Sequence, residues 1–164
     1  MGEVVKGTGY EYTEKEPTEQ GPTKQEQSFV LDCSVSAAWC FSDEKNNYVD
    51  RVLDGFTHGY RALTPSIWYL EMITVLSIAE KRARLTRAAS EHFIRMFSAL
   101  PISTPPVFEP ALDRNILSIA RLYDLSAYDA CYLQIAMEYS IPLATQDKLL
   151  RAASKEAGVE VFLL

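Results

Sequence analysis

Four acidic residues, Asp32, Glu71, Asp129 and Asp147, stand where an α/β chain gathers its ligands. Asp32 and Asp147 fall at expected strand-to-helix junctions, Asp129 at the start of an expected helix, and Glu71 on the apolar side of another. Carboxylates brought together repel one another and resist ionising jointly unless a positive charge joins them. A divalent cation that prefers oxygen ligands, Mg²⁺ or Mn²⁺, is the partner such a set calls for.

Each acid also has a structural alternative. Asp32 could cap a helix beginning near Val35, and Asp147 could lie in a first helical turn, where the helix dipole favours an anion. Ser126-Ala127-Tyr128-Asp129 has the form of a capping box ahead of an apolar run, an arrangement worth about 1 kcal/mol. Glu71 is harder to explain in this way. Its neighbours at i−4 and i+4 are Ile67 and Val75, with Leu70 and Ile78 nearby, and no Lys or Arg stands within one helical turn of it. A buried carboxylate without a cation costs several kcal/mol or stays protonated.

The elements that must position these acids follow from short apolar runs alternating with amphipathic segments. Phe29-Val30-Leu31 reads as a buried strand ending at Asp32. Helices are expected over 35–42 and 46–57, a strand at Ala62-Leu63-Thr64-Pro65, and a long helix over 66–84 with Ser66 as N-cap. Thr86 caps a helix running to Leu100, Pro101-Ile102-Ser103 forms a strand, and a further helix covers 110–123. The last third reads as a helix from Ser126 to Tyr139, a strand Pro142-Leu143-Ala144, a helix from Gln146 to Ala157, and a final strand from Val159 to Leu163. Such alternation implies a parallel sheet covered by helices on both faces. Ligands in these sheets bind beyond the carboxyl ends of the strands, which sends Asp32 and Asp147 into one crevice.

The 164 residues, 48% of them apolar, suffice for one domain with a single core. Residues 1–27 are rich in Glu, Thr, Gly, Pro, Lys and Gln and hold six acids against three bases, so they read as a mobile arm before a folded body over 28–164. The net charge of −6 speaks against a general nucleic-acid coat protein. The body carries sixteen acids against thirteen bases, and it is nearly neutral once the four candidate ligands are set aside. Cys33, Cys40 and Cys131 are odd in number and lack zinc-type spacing, which suits reduced core thiols and a cytoplasmic protein. No apolar run approaches the roughly 20 residues that span a membrane.

Val30-Leu31-Asp32-Cys33-Ser34, the helix bearing Trp68-x-x-Glu71, Tyr128-Asp129-Ala130-x-Tyr132-Leu133 and Leu143-Ala144-Thr145-x-Asp147 occur in this order. Together they resemble the PIN-domain family, and within it the VapC-type toxins of prokaryotic toxin–antitoxin pairs. The resemblance spans about Phe29 to Leu163 and implies a three-layer α/β/α sandwich around a mostly parallel sheet of four to five strands. It matches Asp32, Glu71, Asp129 and Asp147 to the family's acidic quartet, and Ser34 and Thr145 to small hydroxyl residues that support the site. The arm departs from the family pattern.

The resemblance also implies an activity. Acids of this kind hold one or two Mg²⁺ or Mn²⁺ ions, about 4 Å apart where there are two, and activate water for in-line attack on a phosphodiester. Asp32 and Asp129 would be the main ligands, with Glu71 and Asp147 ligating or orienting water. The expected substrate is RNA, cut to leave a 5′-phosphate and a 3′-hydroxyl. Lys148 and Arg151 follow Asp147 and would meet the backbone, while Arg82 and Arg84, in a basic cluster with Lys81 and Arg87, would meet RNA or an antitoxin. Trp39, Phe41, Tyr48 and Phe56 suit a core first and an interface second; the family likeness favours a homodimer that binds an antitoxin. Two other readings are a catalytically silent PIN-like binding module and a Mg²⁺-dependent phosphatase. The second lacks its DxDx[T/V] nucleophile motif, because Asp32 is followed by Cys33-Ser34.

Overall fold

An unbroken apolar run suits a strand covered on both faces, and Phe29, Val30 and Leu31 are fully buried at the centre of the sheet. The structure, a computed structural model, describes residues 27–105 and 114–163. Its elements are β1 (Ser28–Leu31), α1 (Cys33–Trp39), α2 (Asn47–Thr57), β2 (Arg61–Leu63), α3 (Ile67–Lys81), α4 (Arg87–Ala99), β3 (Ile102–Ser103), α5 (Arg114–Tyr123), α6 (Ala127–Tyr139), β4 (Leu143–Ala144) and α7 (Lys148–Glu156).

The four strands lie in the order β3-β2-β1-β4, and every pairing is parallel. Helices cover both faces, giving the α/β/α sandwich expected. β1 pairs with β2 in the register Phe29 to Ala62 and with β4 in the register Leu31 to Ala144. Sequential strands spread to one side of β1 and β4 returns to the other, so the order reverses at the β1–β4 seam.

Several local expectations need correction. Val159 to Leu163 supplies one parallel bridge, Leu143 to Val161, rather than a fifth strand, because β4 is only two residues long. Phe162 nevertheless docks there, stacked on Phe29 at 4.2 Å between ring centroids. The helix expected over 35–42 starts earlier, at Cys33, since the Asp32 carbonyl already accepts the N–H groups of Val35 and Ser36. Ser66 holds the N-cap place of α3 but is itself helical, with φ −58° and ψ −25°, and its side chain caps nothing. Residues 1–26, almost all of the expected arm, and 106–113, where the helix over 110–123 would begin, lie outside the described residues.

The core settles how the aromatic residues are used. Trp39 and Phe41 are buried, and the Trp39 indole donates to the Val49 carbonyl at 2.8 Å. Trp68 packs edge-on to Phe97 and donates to the Ser36 hydroxyl at 3.1 Å. The buried stripe of α3 runs through Trp68, Met72, Leu76 and Ala79, which leaves Glu71 half-buried on its flank. Leu70 and Ile78, expected beside the core, are instead exposed, because they lie off that stripe. Cys33, Cys40 and Cys131 form no disulfide among the described residues.

Candidate active site

Because Leu31 and Ala144 are in register on adjacent parallel strands, the next residues of each strand emerge side by side at the carboxyl end of the sheet. Those residues are Asp32 and Thr145, tied by the Asp32 N–H to the Ala144 carbonyl at 3.0 Å. The seam is also where strand order reverses, the place that open parallel sheets use for ligands.

Asp32 is only 5% exposed. One carboxylate oxygen, Oδ2, accepts from the Ser34 hydroxyl and from the Thr145 hydroxyl at 2.7 Å. The other, Oδ1, accepts no hydrogen bond from the described residues. Asp32 occupies the N-cap place of α1 yet makes no side-chain cap bond, so the capping alternative fails for this residue. Burial pushes its pKa up to about 6; the Ser34 and Thr145 donors oppose that rise, and the charges of Glu71 and Asp129 add to it.

Those charges show which acids the fold gathers. Glu71 reaches in from α3 and Asp129 from the first turn of α6, both close enough to act on Asp32. Glu71 has a partner that sequence reading missed: the buried Tyr132 hydroxyl donates to its Oε2. The signal was present, since a tyrosine three residues after Asp129 in an apolar helix carries a hydroxyl that must find an acceptor.

Asp129 and Asp147 both have structural duties. The Ser126 hydroxyl accepts from the Asp129 N–H at 3.1 Å and donates to its carboxylate at 2.7 Å, so Ser126 caps α6 and Asp129 bonds back to the hydroxyl of its cap. Asp147 caps α7 by accepting from the Leu150 N–H at 2.8 Å. Its own N–H donates to the Thr145 hydroxyl at 3.0 Å, which makes Thr145 the link between Asp147 and Asp32. Asp147 is exposed, whereas Asp32 is buried and Glu71 and Asp129, whose charges act on it, are half-buried and form the inner group with it.

A network absent from the sequence reading fixes the loop after β4. Gln146 donates its N–H to the Ser34 hydroxyl at 2.9 Å and its side-chain amide to the Ser34 carbonyl at 3.0 Å. Asn46, which caps α2, donates to the Gln146 side chain at 2.8 Å, and the Tyr48 hydroxyl accepts from the Thr145 N–H at 3.2 Å. Arg151 lies over the Tyr48 ring and donates to the Thr145 carbonyl at 2.7 Å, so its guanidinium stands at the site. Lys148 and Arg82 are exposed. Arg84 is held by Asp43 and Glu44 at 2.9 and 3.0 Å and stacks on Phe41, so RNA would have to compete with those contacts.

Among the described residues no three or more His, Cys, Asp or Glu side chains stand together as a ready-made metal site. The donor set still fits a hard cation. Mg²⁺ keeps several waters and takes only one or two protein carboxylates, and no Lys or Arg pairs with any of the four acids among the described residues. The Cys33 thiol nearby is unsuited as a ligand, because burial and the charges of Glu71 and Asp32 hold it protonated.

The model of the PIN domain matches residues 29–156, most of the chain. This chain belongs to the PIN domain family. PIN domains are generally nucleases and typically use divalent metal ions. No curated protein matches the sequence. Among solved structures, PAE2754 from Pyrobaculum aerophilum is similar at 25% identity and a TM-score of 0.51, over 77% of this chain and 85% of that one. A PilT N-terminus domain protein, SSO1118 from Sulfolobus solfataricus P2, aligns at 13% identity and a TM-score of 0.41, over 82% of this chain and 85% of that one. No helix among the described residues is long and apolar enough to cross a membrane.

Proposed function

We propose that this PIN domain is a Mg²⁺- or Mn²⁺-dependent endoribonuclease, the toxin of a toxin–antitoxin pair. The observation that carries the reading is Asp32: a buried carboxylate at the strand-order switch, one oxygen locked by two hydroxyls and the other without a hydrogen-bond donor among the described residues, in the field of Glu71 and Asp129. Asp32, Glu71 and Asp129 would hold the metal, with Asp147 joining from the rim. The chemistry a bound divalent ion supplies is an acidified water and positive charge against the phosphodiester.

The chain's own residues prepare the rest. Ser34 and Thr145 fix the Asp32 carboxylate in one orientation, and Gln146 and Asn46 hold Ser34 in turn. Arg151, anchored by Tyr48 and the Thr145 carbonyl, places a cation beside the acids for the phosphate backbone, and Lys148 adds a second. Water adds to phosphorus, the bond to the 3′ oxygen breaks, and that oxygen takes a proton, leaving a 3′-hydroxyl and a 5′-phosphate. The antitoxin would lay an extended segment along the same groove, and the toxin itself would be a homodimer.

Incubation with total RNA, with and without Mn²⁺, followed by mapping of the cut ends, tests this reading. Metal-dependent cuts bearing 5′-phosphates are expected from the wild type and none from Asp32→Asn. If Asp129→Asn stays folded and cuts as fast as wild type, the metal-site reading fails. The structural bonds of these acids, Asp129 to the Ser126 cap and Asp147 as the cap of α7, favour a second reading, a PIN-like binding module without catalysis. RNA binding without any cleavage in Mn²⁺ would select it.

A further inference from the structure

Glu71 is a half-buried carboxylate whose only hydrogen-bond partner among the described residues is the Tyr132 hydroxyl. A buried or half-buried carboxylate is ordinarily held by Lys or Arg, which orients it and neutralises it together. A phenol orients it without bringing a positive charge of its own. For a carboxylate meant to receive a cation from solution the difference matters, since a resident ammonium or guanidinium would compete with that cation.

The rest of Tyr132 is built to hold still. It is 1% exposed, and α6 packs against β1 beneath the site. A carboxylate oxygen only accepts, so the phenol hydroxyl is the donor in the bond to Glu71 Oε2. Tyr132 also lies three residues after Asp129 on α6, while Glu71 belongs to α3. Its bond to Glu71 therefore ties the helix that carries one inner acid to the helix that carries another.

We propose that Tyr132 is a positioning residue for the acid site: its hydroxyl sets the Glu71 carboxylate so that α3 and α6 present their acids as one divalent-cation site, without neutralising either. This rests on the metal-site reading above and adds the residue that organises it. A purely structural tyrosine would satisfy its hydroxyl on any acceptor, and its loss would show in stability alone.

The test is Mn²⁺ affinity, measured by titration calorimetry on the metal-free protein, for wild type, Tyr132→Phe, Glu71→Gln and the double variant. Removal of a hydrogen bond that orients a metal ligand typically costs 10–100-fold in affinity. Tyr132→Phe is expected to keep the wild-type circular dichroism spectrum and to weaken Mn²⁺ binding about 10-fold or more. Half-maximal cleavage should need correspondingly more Mn²⁺, with kcat largely recovered at saturating metal. In the Glu71→Gln background the same substitution should cost almost nothing further.

Unchanged affinity in a folded Tyr132→Phe overturns the proposal, as does a loss of equal size in the Glu71→Gln background. If wild type binds Mn²⁺ but cuts no RNA, the nuclease reading fails while the affinity cycle still decides the role of Tyr132. If wild type binds no divalent ion, both fall.

Discussion

Asp32 is the residue on which stability and activity make opposite demands. Its pKa of about 6 lies above the ordinary 3.8, so the folded protein favours the protonated acid. Below the lower value both folded and unfolded chains hold the proton and the fold loses nothing. As pH rises through the higher value, the fold must carry a buried charge, a cost on the order of 3 kcal/mol. Metal-free Asp32→Asn should therefore melt several degrees above wild type near neutral pH, and calorimetric scans should show that advantage vanishing towards pH 4. Mn²⁺ should raise the melting temperature of wild type and leave that of the variant unchanged. A metal-free variant no more stable than wild type at neutral pH would mean that the carboxylate is not under the strain described. Thr145→Val acts on the same atom from the other side. Without its donor the carboxylate should titrate still higher, and cleavage should need a higher pH to reach half its maximum.

At the scale of elements, two helix starts do two jobs, and substitution separates them. Ser126 caps α6 through the Asp129 N–H. Ser126→Ala should cost about 1 kcal/mol in urea unfolding, with a smaller effect on cleavage. Asp129→Asn keeps a polar side chain in the first turn, so it should cost less stability than that and at least tenfold in cleavage rate. Equal effects of the two variants on cleavage would reduce Asp129 to a cap. At α7, Arg151→Ala removes a cation fixed to Tyr48 and the Thr145 carbonyl. The expected result is a raised KM for RNA and a shallower dependence of binding on salt, by about one unit of slope. Arg84→Ala should leave RNA affinity nearly unchanged, because Asp43 and Glu44 already hold that side chain.

For the molecule as a whole, the exposed side of α3 is the feature a lone domain does not explain. Leu70 and Ile73 are 61% and 58% exposed on a helix whose opposite stripe is buried. Such a surface costs solubility unless something covers it. With a homodimer proposed, sedimentation equilibrium should report about twice the 18.5 kDa chain mass. A purely monomeric protein up to high concentration would remove the dimer from the proposed function. The body, nearly neutral apart from the four candidate acids, adds a second expectation at this scale. With few bases gathered at the site, RNA should bind through a small number of phosphate contacts and be released by moderate salt.

The sheet and the candidate acids were legible in the sequence because both are local. An apolar run closed by an acid declares a strand end, and Ser126 three residues before Asp129 declares a helix start. Parallel strands then oblige residues that end such runs to share one edge of the sheet. What tertiary structure alone decided is which atoms meet there. Thr145 reaches Asp32 across 113 residues of sequence, and Tyr132 reaches Glu71 across 61, through a register and a helix packing that no local pattern encodes. It also decided that Asp32 caps nothing, that Asp147 caps α7 and is exposed, and that Arg84 already has its acids. Periodicity shows which face of a helix turns inward. Which partner waits on the other side is set by packing between elements far apart in the chain.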